Sequence, residues 1–346
     1  MNRRNAIKTA LGVAAVSAAG LRPAAASEQP VLKPARLRPG MTVGIIAPAS
    51  STGENEDIHA ATEIVQSLGF KTKHSKNLFA RSQYLAGSDR GRAEDVNAMF
   101  GDDGVDALIC LRGGYGTPRI LPYLDYDIIR ANPKVLLGYS DITGLLTAIH
   151  ARTGMVVYHG PTAHHSYSDY SLAEFQKVLM SPESGSSIGA PPPFEAAPGR
   201  IDMKNRLTTY TPGKARGRLL GGNLTLLTSL MGSPYEPDFR GRILFLEDVG
   251  EAPYRIDRML TQLWLAGRLQ EVAGIAFGKF TDADAGSGNS FSIEEIIHMR
   301  CDELGVPVLR GLMIGHVADQ TVVPIGIEAE LDADHKTLRL LETPTT

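Results

Sequence analysis

The sequence predicts an α/β protein: an amino-terminal parallel-sheet α/β domain followed by a second, smaller α+β domain. Three observations carry this. Over the first half, strands that are apolar along their whole length alternate with helical periodicity, the pattern of a parallel sheet covered on both faces. A Ser-, Pro- and Gly-rich stretch without periodicity then interrupts the chain. Beyond it, short strands mix with helices. The domains are expected at 37–180 and 205–346, with 181–204 as the linker. A chain of 346 residues, 43% hydrophobic and 21% charged, has the length and balance for two globular domains.

The elements follow in order. Val43 to Ala47 is an apolar strand stopped by Pro48, and "ENEDIHAATEIVQSLGF" places Ile58, Ala61, Ile64, Val65 and Leu68 at helical spacing before Gly69. "RAEDVNAMFGD" reads as a helix, "VDALICL" and "PKVLLGYS" as buried strands, and a further helix starts at Ile142. Past the linker, "RILFLEDVG" and "GIAFGKF" are strands, while "PYRIDRMLTQLWLAG" and "SIEEIIHMRCDELG" are helices. Short strands close the chain in "VPVLRGLMIGH", "TVVPIGIEAEL" and "KTLRLLE". In open parallel sheets, ligands gather beyond the carboxyl ends of the strands. "APAS" (47–50), "RGGYG" (112–116) and "GYSD" (138–141) all fall at that edge.

Residues 1–26 stand apart. An Arg3-Arg4 pair, a mild Ala/Val/Leu run and "AAA" before Ser27 are the three parts of an export signal, here of twin-arginine type. The run Ala10 to Leu21 falls short of the roughly 20 apolar residues that span a bilayer. The expectation is cleavage after Ala26, a periplasmic mature protein and no stable membrane span after processing. A formal net charge of −3 gives no basic footprint for nucleic acid. Cys110 and Cys301 sit far apart in apolar or helical settings and predict two buried thiols rather than a bridge. His164-His165 has no third ligand near it, so no metal is expected.

Three stretches invite chemistry. In "RGGYG", Gly113 and Gly114 let backbone N–H groups face a ligand, although an ordinary tight turn has the same composition. Arg112 supplies a cation beside them, for a carboxylate or for a structural ion pair, and Tyr115 borders the same turn. "LLGYSDITG" is either a helix start capped by Ser140 or Asp141, or a strand-to-helix turn that exposes Ser140 as a nucleophile. Local sequence does not separate the two. For a base, His159 and His316 follow apolar strand-like runs, whereas His59, His298 and His335 belong on the surface. Glu247 and Asp248 directly follow a buried strand, where an acid is either desolvated for a purpose or caps a turn. Asp141 is too close to Ser140 to orient a histidine across a site, so its amide suits an oxyanion better.

Five blocks, "YLAGSDRGRAEDVNAMFGDDGVDALICLRGGYGTPRILPYLDYD", "LLGYSDITGLLTAIHARTGMVVYHGP", "GRLLGGNLTLLTSLMGSPYEP", "ILFLEDVGEAPYRIDRMLTQL" and "GLMIGHVADQTVVPIG", occur in this order. From about Leu37 onward the chain resembles the serine LD-carboxypeptidases, the muramoyltetrapeptide carboxypeptidase family that includes the microcin C self-immunity proteins. The resemblance implies Ser140 as nucleophile, Glu247 as the acid and His316 as the base, meeting where the two domains join. With those roles assigned, the Asp141 amide and one of Gly113 and Gly114 are expected to hold the oxyanion, and Arg112 and Tyr115 are the expected substrate-binding residues. It further implies release of terminal D-Ala from murein tetrapeptides at the L-centre of the diamino acid, without a cofactor. A second copy of the chain is left open as a partner. Two alternatives stand beside this: a microcin-type hydrolase of an aminoacyl-nucleotide, and a murein-binding protein without catalysis. Family members that recycle murein act in the cytoplasm, so the leader marks a departure.

Overall fold

The computed structural model describes residues 31–283 and 288–346, so the predicted leader lies outside the described residues. Strands β1 (Thr42–Ile46), β2 (Lys71–His74), β3 (Ala107–Cys110), β4 (Val135–Gly138) and β5 (Val157–His159) run parallel in the order β5-β4-β3-β1-β2. Every residue of β3, β4 and β5 is buried, which accounts for their unbroken apolar runs. β2 is the edge, and its KTKH sequence is correspondingly polar.

Helices connect these strands where the sequence supplies caps. Asn55–Ser67 opens on a capping box between Glu54 and Asp57, and Asp89–Gly101 on Ser88, whose Oγ accepts from the Gly91 amide at 3.1 Å. Ile142–Thr153 stops at Gly154, which has φ 74°.

The second half supplies β6 (Ser187–Ile188), β7 (Thr208–Thr211), β8 (Lys214–Asn223), β9 (Ile243–Val249), β10 (Gly274–Thr281), β11 (Val308–Arg310), β12 (Val323–Ile325), β13 (Glu328–Asp332) and β14 (Thr337–Leu340). Eight of these nine form a curled sheet in the order β6-β14-β13-β8-β9-β10-β11-β7, parallel from β8 to β11 and antiparallel on either side. The ninth, β12, pairs antiparallel with β5 and completes the first sheet as its sixth strand.

Ile142–Thr153 joins the two sheets. All residues from Ile142 to Ile149 are buried, as expected of a helix covered on every side. The Asn223 amide at the end of β8 donates to Thr143 Oγ1 at 3.0 Å. A Cβ on Gly222, φ 138°, would stand 2.6 Å from the same threonine, so this contact requires glycine. Thr143 lies three residues after Ser140, and the second sheet is therefore anchored directly behind the candidate nucleophile. Cys110 and Cys301 are both free and buried; burial pushes the Cys301 thiol up to about 12. Among the described residues no helix is long and apolar enough to cross a membrane.

Candidate active site

Ser140 sits in the turn between β4 and the helix Ile142–Thr153 with φ 64°. A non-glycine residue in the left-handed region is uncommon and costs of order 1–3 kcal/mol, a cost that persists where the surroundings hold it. Here the surroundings are tight. The Thr143 amide donates to the Ser140 carbonyl at 2.9 Å, and the Ile142 amide to that of Tyr139 at 3.2 Å. A Cβ on Gly138 would meet Ile142 at 2.8 Å. Ser140 stays half-buried, so its hydroxyl is presented rather than packed away.

The neighbouring turn closes one side. A Cβ on Gly113 would stand 2.8 Å from Ser140 Cβ and 3.1 Å from its Oγ, so the backbone there lies directly against the serine. Gly114 instead packs on Ser50, whose hydroxyl accepts from the Tyr115 amide at 3.0 Å. Tyr115 is exposed, edge-on to exposed Tyr84 with centroids 5.5 Å apart. Arg112 is half-buried, and its Nη1 donates only a long 3.4 Å hydrogen bond to the Ser51 carbonyl. The Asp141 carboxylate accepts from the Thr117 amide at 2.8 Å, tying the glycine turn to the serine turn; burial raises its pKa despite the amides it accepts from. Fully buried Arg92 donates to the carbonyls of Pro48 and Gly116, bracing two of these loops.

The opposite side comes from the second sheet. Glu247, fully buried near the end of β9, accepts from His316 Nδ1 at 2.7 Å. A carboxylate only accepts, so Nδ1 carries the proton and the lone pair of the neutral ring is on Nε2. Gly315 lets the chain pass: at φ 110°, a Cβ would fall 2.6 Å from Glu247 Oε2. Asp248, the alternative acid, is fully engaged with Asn223 Nδ2, the Thr225 hydroxyl and amide, and the Val249 amide. The His316 ring lies 4.8 Å from that of Tyr139, the residue before Ser140. Burial, and then the charge of Glu247, raise the Tyr139 pKa. The Ser140 hydroxyl makes no hydrogen bond to His316 among the described residues; such bonds are often long until substrate tightens them.

Sequence reasoning assigned no role to Tyr139, Ser50, Gly315 or Arg92. His159 it weighed only as a residue aimed into a cleft. It is fully buried, 5.4 Å from Phe245 and 6.1 Å from Tyr139, with both ring nitrogens unpartnered. Glu247 Oε1 is also buried and unpartnered. Burial drives the His159 pKa down to about 4, against the opposing pull of Glu247. His164 and His165 join no cluster able to hold a metal ion among the described residues.

A strained serine turn facing a buried carboxylate–histidine pair across two sheets is the equipment of a peptidase, and comparison with known proteins bears out that class. Residues 43–160 match the LD-carboxypeptidase N-terminal domain, and residues 216–331 match the LD-carboxypeptidase C-terminal domain. The chain belongs to the LD-carboxypeptidase family. It is 40% identical to a probable murein peptide carboxypeptidase of Bacillus subtilis, over 88% of this chain and 93% of that one. It is 34% identical to the murein tetrapeptide carboxypeptidase of Pseudomonas aeruginosa, over 84% and 93% respectively. The solved structure of the microcin C7 self-immunity protein MccF, in complex with glutamyl sulfamoyl guanosine, superposes with a TM-score of 0.82 at 28% identity, covering 91% of this chain and all of that one.

Proposed function

We propose that this peptidase releases the terminal D-Ala of murein tetrapeptides, using Ser140, His316 and Glu247. The observation that supports the reading is the 2.7 Å contact between His316 Nδ1 and buried Glu247, with the His316 ring 4.8 Å from that of Tyr139 in the strained serine turn. His316 takes the Ser140 proton as Oγ attacks the carbonyl of the diamino acid. Glu247 fixes the tautomer and stabilises the imidazolium that forms. The amides of Asp141 and of Gly113 or Gly114 receive the oxyanion; Gly113 is the one in contact with Ser140. Each such donor is worth about 2.7–4 kcal/mol. His316 returns its proton to the departing amine, and water then hydrolyses the acyl-enzyme by the same route in reverse. Arg112, a cation without a carboxylate partner among the described residues, binds the terminal carboxylate.

The likeness to MccF supports a second reading, hydrolysis of an aminoacyl-nucleotide. Mass spectrometry of tri-, tetra- and pentapeptide digests, run beside such a nucleotide conjugate, separates the two. The expected product is tripeptide plus D-Ala from the tetrapeptide alone. A pentapeptide ending in D-Ala-D-Ala should resist, because the cut would need a D-centre on the acyl side. Cleavage of the nucleotide conjugate alone would move the chain to the immunity branch. We further propose export of the folded protein by the twin-arginine route, with a periplasmic muropeptide as substrate; the leader residues Arg3-Arg4 and "AAA" support this. Lysine at both arginines should retain the protein in the cytoplasm, and unchanged periplasmic yield would point to the general export route.

A further inference from the structure

A concave site of about 440 Å³ adjoins His316, built from five separate stretches of the chain. Lys204 and Arg206 contribute from the end of the linker region, Lys279 and Thr281 from β10, and Arg310 from β11. Val317 also lines it, and the Thr281 hydroxyl donates to the His316 carbonyl at 2.9 Å. The cavity therefore begins one residue from the proposed base.

Its charge is one-sided. Four cations line it against the single carboxylate of Glu294, and the nearby acid Asp202 offsets one more. The Asp202 carboxylate is itself committed to the Asn205 and Lys204 amides at 2.9 and 2.8 Å. Half-buried Lys279 donates only to neutral oxygens, the Lys204 carbonyl at 3.2 Å and Asn205 Oδ1 at 3.3 Å. Arg310 likewise donates to the Tyr210 hydroxyl at 3.1 Å. Cations withdrawn from water without a carboxylate in hydrogen-bond reach recover that lost hydration from an anionic ligand. Burial lowers the Lys279 pKa, in keeping with an ammonium that lacks such a partner.

We propose that this cavity binds a carboxylate on the acyl side of the substrate, which in a murein stem is the α-carboxylate of the γ-linked D-glutamate. The proposal rests on the murein reading above. That carboxylate lies one γ-linked residue before the diamino acid, seven bonds or about 9 Å of extended chain from the scissile carbonyl. A cavity that starts beside His316 suits that span. Arg112, on the loop after β3, is left for the carboxylate of the departing D-Ala, so the stem is held by charge at both ends of the cut.

The test uses two tetrapeptides that differ only in this group, one with D-glutamate and one with its α-carboxamide. Wild-type protein should show a KM about tenfold or more lower for the acid than for the amide, the usual scale of a charge-assisted hydrogen bond. In the double variant Arg206→Gln/Arg310→Gln that ratio should collapse toward one. Equal KM values in the wild type would overturn the proposal, as would a variant that keeps the preference. A second measurement is independent of turnover: calorimetric titration of the tripeptide product and its amide into both proteins. The acid should bind the double variant about tenfold more weakly, with the amide little changed. Equal acid binding by both proteins would overturn the cavity assignment. Failure of the wild type to cleave either tetrapeptide would instead count against the carboxypeptidase reading and leave the calorimetric result to judge the cavity.

Discussion

Gly315→Ala isolates the contact between Glu247 and His316. The new Cβ would lie 2.6 Å from Glu247 Oε2, 2.8 Å from its Cβ and 3.0 Å from its Cγ. Restoring an ordinary contact near 3.5 Å requires the carboxylate to retreat by about 0.9 Å. Oε2 is the atom that accepts from His316 Nδ1 at 2.7 Å, so the hydrogen bond would lengthen past its working limit. Misplacing a catalytic group by about 1 Å costs roughly 10²-fold, and losing the orienting carboxylate of a serine protease about 10⁴-fold. The variant should therefore lose about 10² to 10⁴ in kcat with KM changed only a few-fold. Backbone strain at φ 110° adds roughly 1–3 kcal/mol of destabilisation, to be read as a lower melting temperature. Gly241→Ala is the control, because it has φ 66° with nothing within 4 Å of the new Cβ. It should lose stability and keep activity. Assay is by D-Ala release from tetrapeptide alongside thermal melting. A folded Gly315→Ala protein with kcat within tenfold of wild type would refute the positioning argument.

Other outcomes follow from burial. His159→Phe removes two buried, unpartnered ring nitrogens and should raise stability by about 1–3 kcal/mol; a lower melting temperature would contradict this. Since burial lowers the His159 pKa to about 4 from an unfolded value near 6.5, the unfolded chain binds more protons between those limits. Stability from this group is complete above about pH 6.5 and declines as pH falls toward 4, by roughly 3 kcal/mol in full. Wild-type melting curves should show that acid loss, and His159→Phe should show less of it. Both cysteines should resist a thiol reagent in the native protein and react once it is denatured; one fast native thiol would contradict the buried placement.

Local sequence made much of the fold readable. Uniformly apolar runs such as "ALIC" and "VLLG" mark strands buried on both faces, and Gly69, Gly154 and Gly267 lie at or just beyond helix ends with positive φ. Sheet partnership was not readable in the same way. "TVVPIG" reads as a strand, yet nothing in it indicates that β12 leaves its neighbours to pair with β5. The site divides similarly. Local sequence made Ser140, Glu247 and His316 candidates, but it left Ser140 open between helix cap and nucleophile and could not pair an acid with a base 69 residues away, so the three roles came from family resemblance. Tyr139, Ser50 and Gly315 act through contacts that only the assembled sheets create. The cationic cavity is assembled from the linker's end and three strand ends, each of ordinary composition alone.

The central claim is that Ser140 attacks the substrate and that His316 serves it as one unit with Glu247. Its most direct test is single-turnover D-Ala release from a murein tetrapeptide, followed by mass spectrometry for the wild type, Ser140→Ala, His316→Ala and the double variant. Each single variant should lose essentially all release while melting as a folded protein, and the double variant should be little worse than the poorer single one. Release by folded Ser140→Ala at a rate close to wild type would contradict the account.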